Sequence, residues 1–117
     1  MADDPLTRVR ERAPVRDDLR NAAGAPVHGG VYSALVDTAV GGALATMHEA
    51  SAGGVGQTTL DLNVTFIAAA KGDTLLAEGK IIRRGRSIAF GETRVTDTSR
   101  TLVAIGRATY MIIPPRP

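Results

Sequence analysis

One carboxylate stands apart in the first half of the chain. Between Gly29 and Met47 the only charged side chain is Asp37, set among Ala34, Leu35, Val36, Ala39 and Val40. A carboxylate in such a stretch, with no cation close in sequence, needs either a partner or a task. The task would be to help an attack on a polarised carbonyl. Two structural readings stand beside it: Asp37 could cap a second helix if the first broke there, or pair with an arginine from far along the chain.

The second feature is His28-Gly29-Gly30, where a loop gives way to an apolar stretch. The first N–H groups of a helix have no internal partner and attract negative charge. Glycine there lets a ligand carbonyl approach the main chain closely, which is what holding a developing oxyanion requires. Two glycines can also simply end a loop, and a histidine beside a loop is an ordinary hydrogen-bonding residue. Along one helix Gly29 and Asp37 are separated by roughly 12 Å, too far to flank one carbonyl carbon. Either they are unrelated, or one subunit holds the carbonyl while Asp37 of another assists the attack.

These residues need a helix to carry them and a sheet to support it. Val31, Leu35, Ala39 and Ala43 recur at helical spacing, as do Val36, Val40 and Leu44. The pattern predicts a helix from Val31 to about Ala50, apolar nearly all round and therefore buried. Ser51, Gly53, Gly54 and Gly56 should end it. From Thr58 to Phe66 the period becomes two, predicting a strand with one buried face. Three further strands are expected at about 74–83, 87–96 and 102–113, separated by turns at Lys71-Gly72-Asp73, Arg84-Gly85-Arg86 and Asp97–Arg100. A short edge strand is expected around 8–14, a turn at Asp17–Asn21, and loop from Asn21 to Gly30. Gly79, Gly91 and Gly106 fall inside strands, which suggests bends or close contact with the helix. The sum is an α+β domain spanning residues 1–117, an antiparallel sheet wrapped round one long central helix.

Composition narrows the classes. The 117 residues are 44% apolar but include only two Phe, two Tyr and no Trp. Such a thin core favours burial between subunits, hence an oligomer. With no cysteine there are no disulfides, thiolate metal sites or cysteine nucleophiles, and two distant histidines offer no metal-ligand cluster. The net charge of +2 argues against a general nucleic-acid binder. Residues 28–70 carry three acids and no Lys or Arg, whereas residues 71–117 hold nine basic groups against four acidic ones. The start MADDPLTRVRER has no apolar core of a secretory signal. The stretch Val31–Met47 is short for a bilayer and carries Asp37 in its middle. A soluble, cytoplasmic protein is expected.

The stretch from His28 to Ala39, HGGVYSALVDTA, resembles the helix signature of the hotdog-fold thioesterases of the phenylacetyl-CoA (PaaI-like) branch, relatives of the 4-hydroxybenzoyl-CoA thioesterases. The likeness continues through Thr59–Phe66, Arg84–Phe90 and a last strand ending Tyr110-Met111. The resemblance implies a hotdog fold and hydrolysis of an aryl- or fatty-acyl-CoA by a homo-oligomer, a dimer or a homotetrameric dimer of dimers. Coenzyme A is then part of the substrate, and no separate cofactor or metal is implied. By the same resemblance Asp37 is the catalytic carboxylate, as general base or nucleophile, and the Gly29 N–H polarises the thioester carbonyl. Thr59 orients the attacking water, and His28 shapes the loop. Asn21 helps position the reacting groups, although Pro26 lengthens its interval to His28. Gly30, Arg84 and Arg86 are placed near the cofactor portion, where arginine forks suit phosphate oxygens. The same two arginines in a solvated turn need no function at all.

Two other functions remain open on the sequence. A hydratase or dehydratase acting on an acyl thioester needs an acid–base pair round one substrate, yet His28 lies nine positions from Asp37 on one helix. A regulatory module that binds acyl-CoA without catalysis would gain little from a carboxylate beside the thioester.

Overall fold

The computed structural model describes residues 8–16, 20, 27–48 and 54–115. They form β1 (Arg8–Pro14), α1 (Gly29–Ala45), β2 (Gly56–Phe66), β3 (Thr74–Arg84), β4 (Ile88–Thr96) and β5 (Leu102–Ile113). The strands make one antiparallel sheet in the order β1-β3-β4-β5-β2, with α1 packed on one face. This is the expected α+β hotdog arrangement, with the short first strand paired to β3 at the sheet's edge. The expected turn at 17–21 and the loop 21–26 lie outside the described residues, apart from Arg20.

Alternation sets the faces of β3 and β4. Leu75, Ala77, Gly79 and Ile81, then Ala89, Gly91, Thr93 and Val95, point at the helix and are buried, while Glu78, Lys80, Glu92 and Arg94 lie on the other face. Two apolar clusters lie along the helix. One gathers Leu35, Val36 and Ala39 with Leu75, Val95 and Val103; the other gathers Val40, Ala43 and Leu44 with Ile81, Ala108 and Ile112. Burying a side chain such as Leu44 or Leu75 contributes about 1.5–3 kcal/mol. Between the clusters the helix backbone comes down onto small residues. A Cβ at Gly79 would lie 2.6 Å from the carbonyl carbon and oxygen of Ala39, one at Gly91 2.5 Å from Val40, and one at Gly106 2.7 Å from Val36. Of the two readings of these glycines, close contact with the helix is the one observed. Thr93, fully buried in the same layer, donates its hydroxyl to the Val36 carbonyl at 3.2 Å.

Three local expectations are corrected. The helix ends at Ala45, not near Ala50. Thr46 turns its hydroxyl onto the Ala43 carbonyl at 2.7 Å. The Met47 and His48 N–H groups then bond three residues back, tightening the last turn out of α-helix. The helix is also not buried all round: Gly30, Ala34, Thr38 and Ala45 form an exposed stripe, because the sheet covers only one side of it. Finally, β2 does not bury its apolar face. Leu60, Leu62 and Phe66 are 50%, 37% and 57% exposed. β2 is the free edge of the sheet, and a bulge between Thr59 and Asp61 puts Leu60 out of step.

The turn after β4 is organised by Asp97. Its Oδ1 accepts the Ser99 and Thr101 N–H groups, and its Oδ2 accepts the Lys71 N–H at 2.9 Å, tying this turn to the β2–β3 connection. The Lys71 bond, then those from Thr101 and Ser99, hold the carboxyl below its ordinary 3.8 against the opposing effect of desolvation. A depressed folded-state value means that Asp97 stabilises the fold above pH 3.8, and that this stabilisation is lost as pH falls through the folded value. Asp97→Asn should therefore lower the thermal midpoint at neutral pH, with the gap to wild type closing below about pH 4. A gap that stays constant down to low pH contradicts this account.

Candidate active site

The helix start is built by its own sequence. His28 is the N-cap, and its Nδ1 accepts the Gly30 N–H at 2.9 Å, which assigns the ring proton to Nε2. The Val31 N–H bonds the His28 carbonyl at 3.0 Å. Among the described residues no acceptor takes the Gly29 N–H, and the first helical turn contains no acidic side chain. The positive end of the helix dipole is thus left open at Gly29. Beside it Val27, Tyr32, Phe66, Ile67, Ala68 and Ala69 line a shallow apolar hollow of ≈ 420 Å³. The Phe66 ring lies 3.2 Å from where a Gly29 Cβ would be and packs edge-on to Tyr32 at 5.8 Å.

Asp37 lies two turns further on in the same uninterrupted helix, so it caps no second helix. Its Oδ1 accepts the Thr59 hydroxyl at 2.7 Å and the Tyr110 hydroxyl at 2.6 Å. These partners are neutral hydroxyls from β2 and β5. They are cross-strand neighbours, so one rung of the sheet presents both to the helix. The bulge that follows Thr59 fixes where its side chain stands. The Tyr110 oxygen also lies 2.8 Å from Asp37's own main-chain carbonyl. Burial, then the hydrogen bond to Asp37, push the Tyr110 phenol up to about 12.

A second chain of contacts runs behind this one. The Gln57 amide donates to the Gly41 carbonyl at 2.8 Å, and its oxygen meets His48 Nε2 at 2.9 Å. Neither Gln57, Gly41 nor Tyr110 was assigned to the site from the sequence. A signal for Tyr110 exists: on β5 the inward positions are Ala104, Gly106, Ala108, Tyr110 and Ile112, so one hydroxyl enters a row of small and aliphatic side chains.

The structure brings Asp37 and Thr59 together, and it places His28, Gly29 and Gly30 at the helix start. Within one chain the two groups stay apart, as the eight-residue interval requires. The Gly30 N–H is engaged by His28. Arg84 and Arg86 are exposed at the β3–β4 turn, where Arg84 reaches the Gly85 carbonyl at 3.4 Å. Arg84, Ala89, Tyr110 and Thr59 share one rung across four strands, which puts this turn at the Asp37 end of the sheet. Asn21 lies outside the described residues. Among the described residues no three His, Asp or Glu side chains converge to hold a metal ion, and no helix is long and apolar enough to cross a membrane.

The chain is similar to known proteins in sequence and in fold. Residues 26–104 match the family model of the thioesterase superfamily. A candidate esterase of Halobacterium salinarum is 33% identical over 113 residues, covering 89% of this chain and 73% of that one. The medium/long-chain acyl-CoA thioesterase YigI of Escherichia coli is 28% identical over 102 residues; the match covers 79% of this chain and 66% of YigI. The BH2602 protein of Bacillus halodurans, solved with CoA, superposes with a TM-score of 0.83 at 26% identity, over 93% of this chain and 70% of that one. With a sheet and helix of the same shape and a family match over most of its length, the chain belongs to the thioesterase superfamily as a hotdog-fold member.

Proposed function

We propose that this protein is an acyl-CoA thioesterase that hydrolyses an aryl- or fatty-acyl-CoA as a homo-oligomer. The observation that carries the reading is the Asp37 carboxylate: one oxygen is held by two hydroxyls, and the other has no partner among the described residues. The Gly29 N–H and the helix dipole stabilise the oxyanion as the thioester carbonyl becomes tetrahedral. Asp37 takes a proton from water as the new C–O bond forms. The C–S bond then breaks, and the proton passes to the leaving thiolate. In the nucleophilic variant Asp37 itself attacks, and water hydrolyses the resulting anhydride. Thr59 stands where its oxygen can accept a hydrogen bond from that water. In this reading Arg84 and Arg86, exposed at the β3–β4 turn, contact the phosphates of CoA.

Two copies complete the site in this reading. β2 has a free backbone edge flanked by exposed Leu60, Leu62 and Phe66, an aggregation hazard unless covered. On β2, Thr59 adjoins Asp37 and Phe66 adjoins Gly29. Antiparallel pairing of two β2 strands about a two-fold axis between Leu62 and Asn63 sets Thr59 of one copy opposite Phe66 of the other, about 5 Å away. The Asp37 of one subunit then meets the helix start of its neighbour. The test is release of free thiol from a panel of aryl- and fatty-acyl-CoA thioesters, followed with a thiol-reactive dye to which a cysteine-free protein adds no background. Turnover that disappears in Asp37→Ala, with the oligomer intact, supports hydrolysis. Binding of acyl-CoA without cleavage of any thioester overturns it in favour of a binding module.

A further inference from the structure

Asp37 is held from an unexpected direction. Both hydroxyls converge on Oδ1, leaving Oδ2 without a partner among the described residues. The Tyr110 hydroxyl reaches that position because residue 41 has no side chain: a Cβ there would lie 2.7 Å from the Tyr110 oxygen and 3.2 Å from Cζ. The Gln57 amide, bonded to the Gly41 carbonyl, closes the other side of the same gap. Tyr110 is 6% exposed, so its ring is packed.

We propose that Tyr110 is the positioning residue of the Asp37 carboxylate, saturating Oδ1 together with Thr59 so that Oδ2 is the oxygen that meets water or the thioester carbon. The inference rests on the reading of Asp37 as the catalytic group and adds to it which oxygen acts and what aims it. Two donated hydrogen bonds fix the plane of the carboxylate, which otherwise turns freely about χ2. The titratable groups facing this pair are few among the described residues. Glu11 of β1 accepts the Thr38 hydroxyl at 2.7 Å, and its charge raises the Tyr110 phenol. From β2 come the neutral Thr59 and Gln57, the latter bonded to His48 beyond the helix end. β3 and β4 present Gly79, Ile81, Gly91 and Thr93 beneath the helix, none of them titratable.

The test is the split between kcat and KM for Tyr110→Phe, with Gly41→Ala as a second variant that keeps the phenol but displaces its oxygen. In both, kcat should fall roughly ten- to hundredfold with KM little changed. A KM that rises while kcat is kept would be an effect on binding alone and overturns the positioning role. Should both variants fail to fold, replacing the two tyrosines of the wild type by 3-fluorotyrosine decides the matter. A stronger O–H donor of nearly unchanged shape should change kcat with KM kept, and an unchanged kcat overturns the proposal. A normal kcat in folded Tyr110→Phe also overturns it. If Asp37→Ala itself retains turnover, the catalytic reading fails first; if Asp37→Ala is inactive while Tyr110→Phe is normal, only the positioning role falls.

Discussion

Gly29→Pro should reduce thioester turnover about a hundredfold or more while leaving the helix as stable as before. Gly29 is the first residue of α1 after the His28 cap, the position where proline is best tolerated in a helix. His28 has φ −59° and ψ 136°, an extended conformation compatible with a following proline. The substitution therefore deletes one N–H, the one with no acceptor among the described residues, and little else. Gly29→Ala is the control: it adds a similar contact with the exposed Phe66 ring and keeps the donor. An equal loss in both variants would make the effect steric and remove the oxyanion role.

The same variant tests whether the site is shared. Asp37→Asn alone should cost on the order of a hundred- to ten-thousandfold. Co-expressed with Gly29→Pro, it should regain about a quarter of wild-type turnover, since half of randomly mixed two-fold dimers are hybrid and each hybrid has one intact site. Mixed oligomers that stay inactive would place both groups in separate or single-chain roles.

The largest effect on stability is expected at Gly79. A methyl group there meets the Ala39 carbonyl carbon and oxygen at 2.6 Å and its Cβ at 2.8 Å. The obstacle is helix backbone, which cannot rotate away as a side chain can. Gly79→Ala should destabilise by about 3 kcal/mol, at the upper end of overpacking costs. That is a large part of the 5–15 kcal/mol typical of a domain. Gly42→Ala makes the contrast. Its methyl meets only Val9 at ordinary contact, 3.4 Å and beyond, and removing glycine from a helix interior should stabilise by roughly 0.5–1 kcal/mol. Urea unfolding of both variants measures the difference. Equal midpoints would mean that the helix does not rest on the sheet at Gly79.

The helix, the strands and most of the turns were legible in the sequence because each depends on neighbours within a few residues. A 3.6-residue apolar period, a two-residue alternation and a Gly-x or Asp-x turn are local facts. So was the isolation of Asp37 in its apolar stretch, and the His-Gly-Gly step into the helix. The interval between Gly29 and Asp37 even required that one chain could not bring them together, since helix rise is constant.

What Asp37 touches was decided by the tertiary structure alone. Its two donors come from residues 22 and 73 positions away. They converge because β2 crosses to the far edge of the sheet and pairs with β5, a register set by long-range packing. Whether Leu60, Leu62 and Phe66 are buried likewise depends on what lies over β2, which alternation cannot report. The early helix end at Ala45 reflects a competition between Thr46's hydroxyl and the backbone that apolar periodicity does not weigh. The sequence by itself thus determined which elements form and which chemical groups they carry, through interactions of short range. Which of those groups meet was left to strand order and register, and these emerge only when distant segments bury their surfaces against one another.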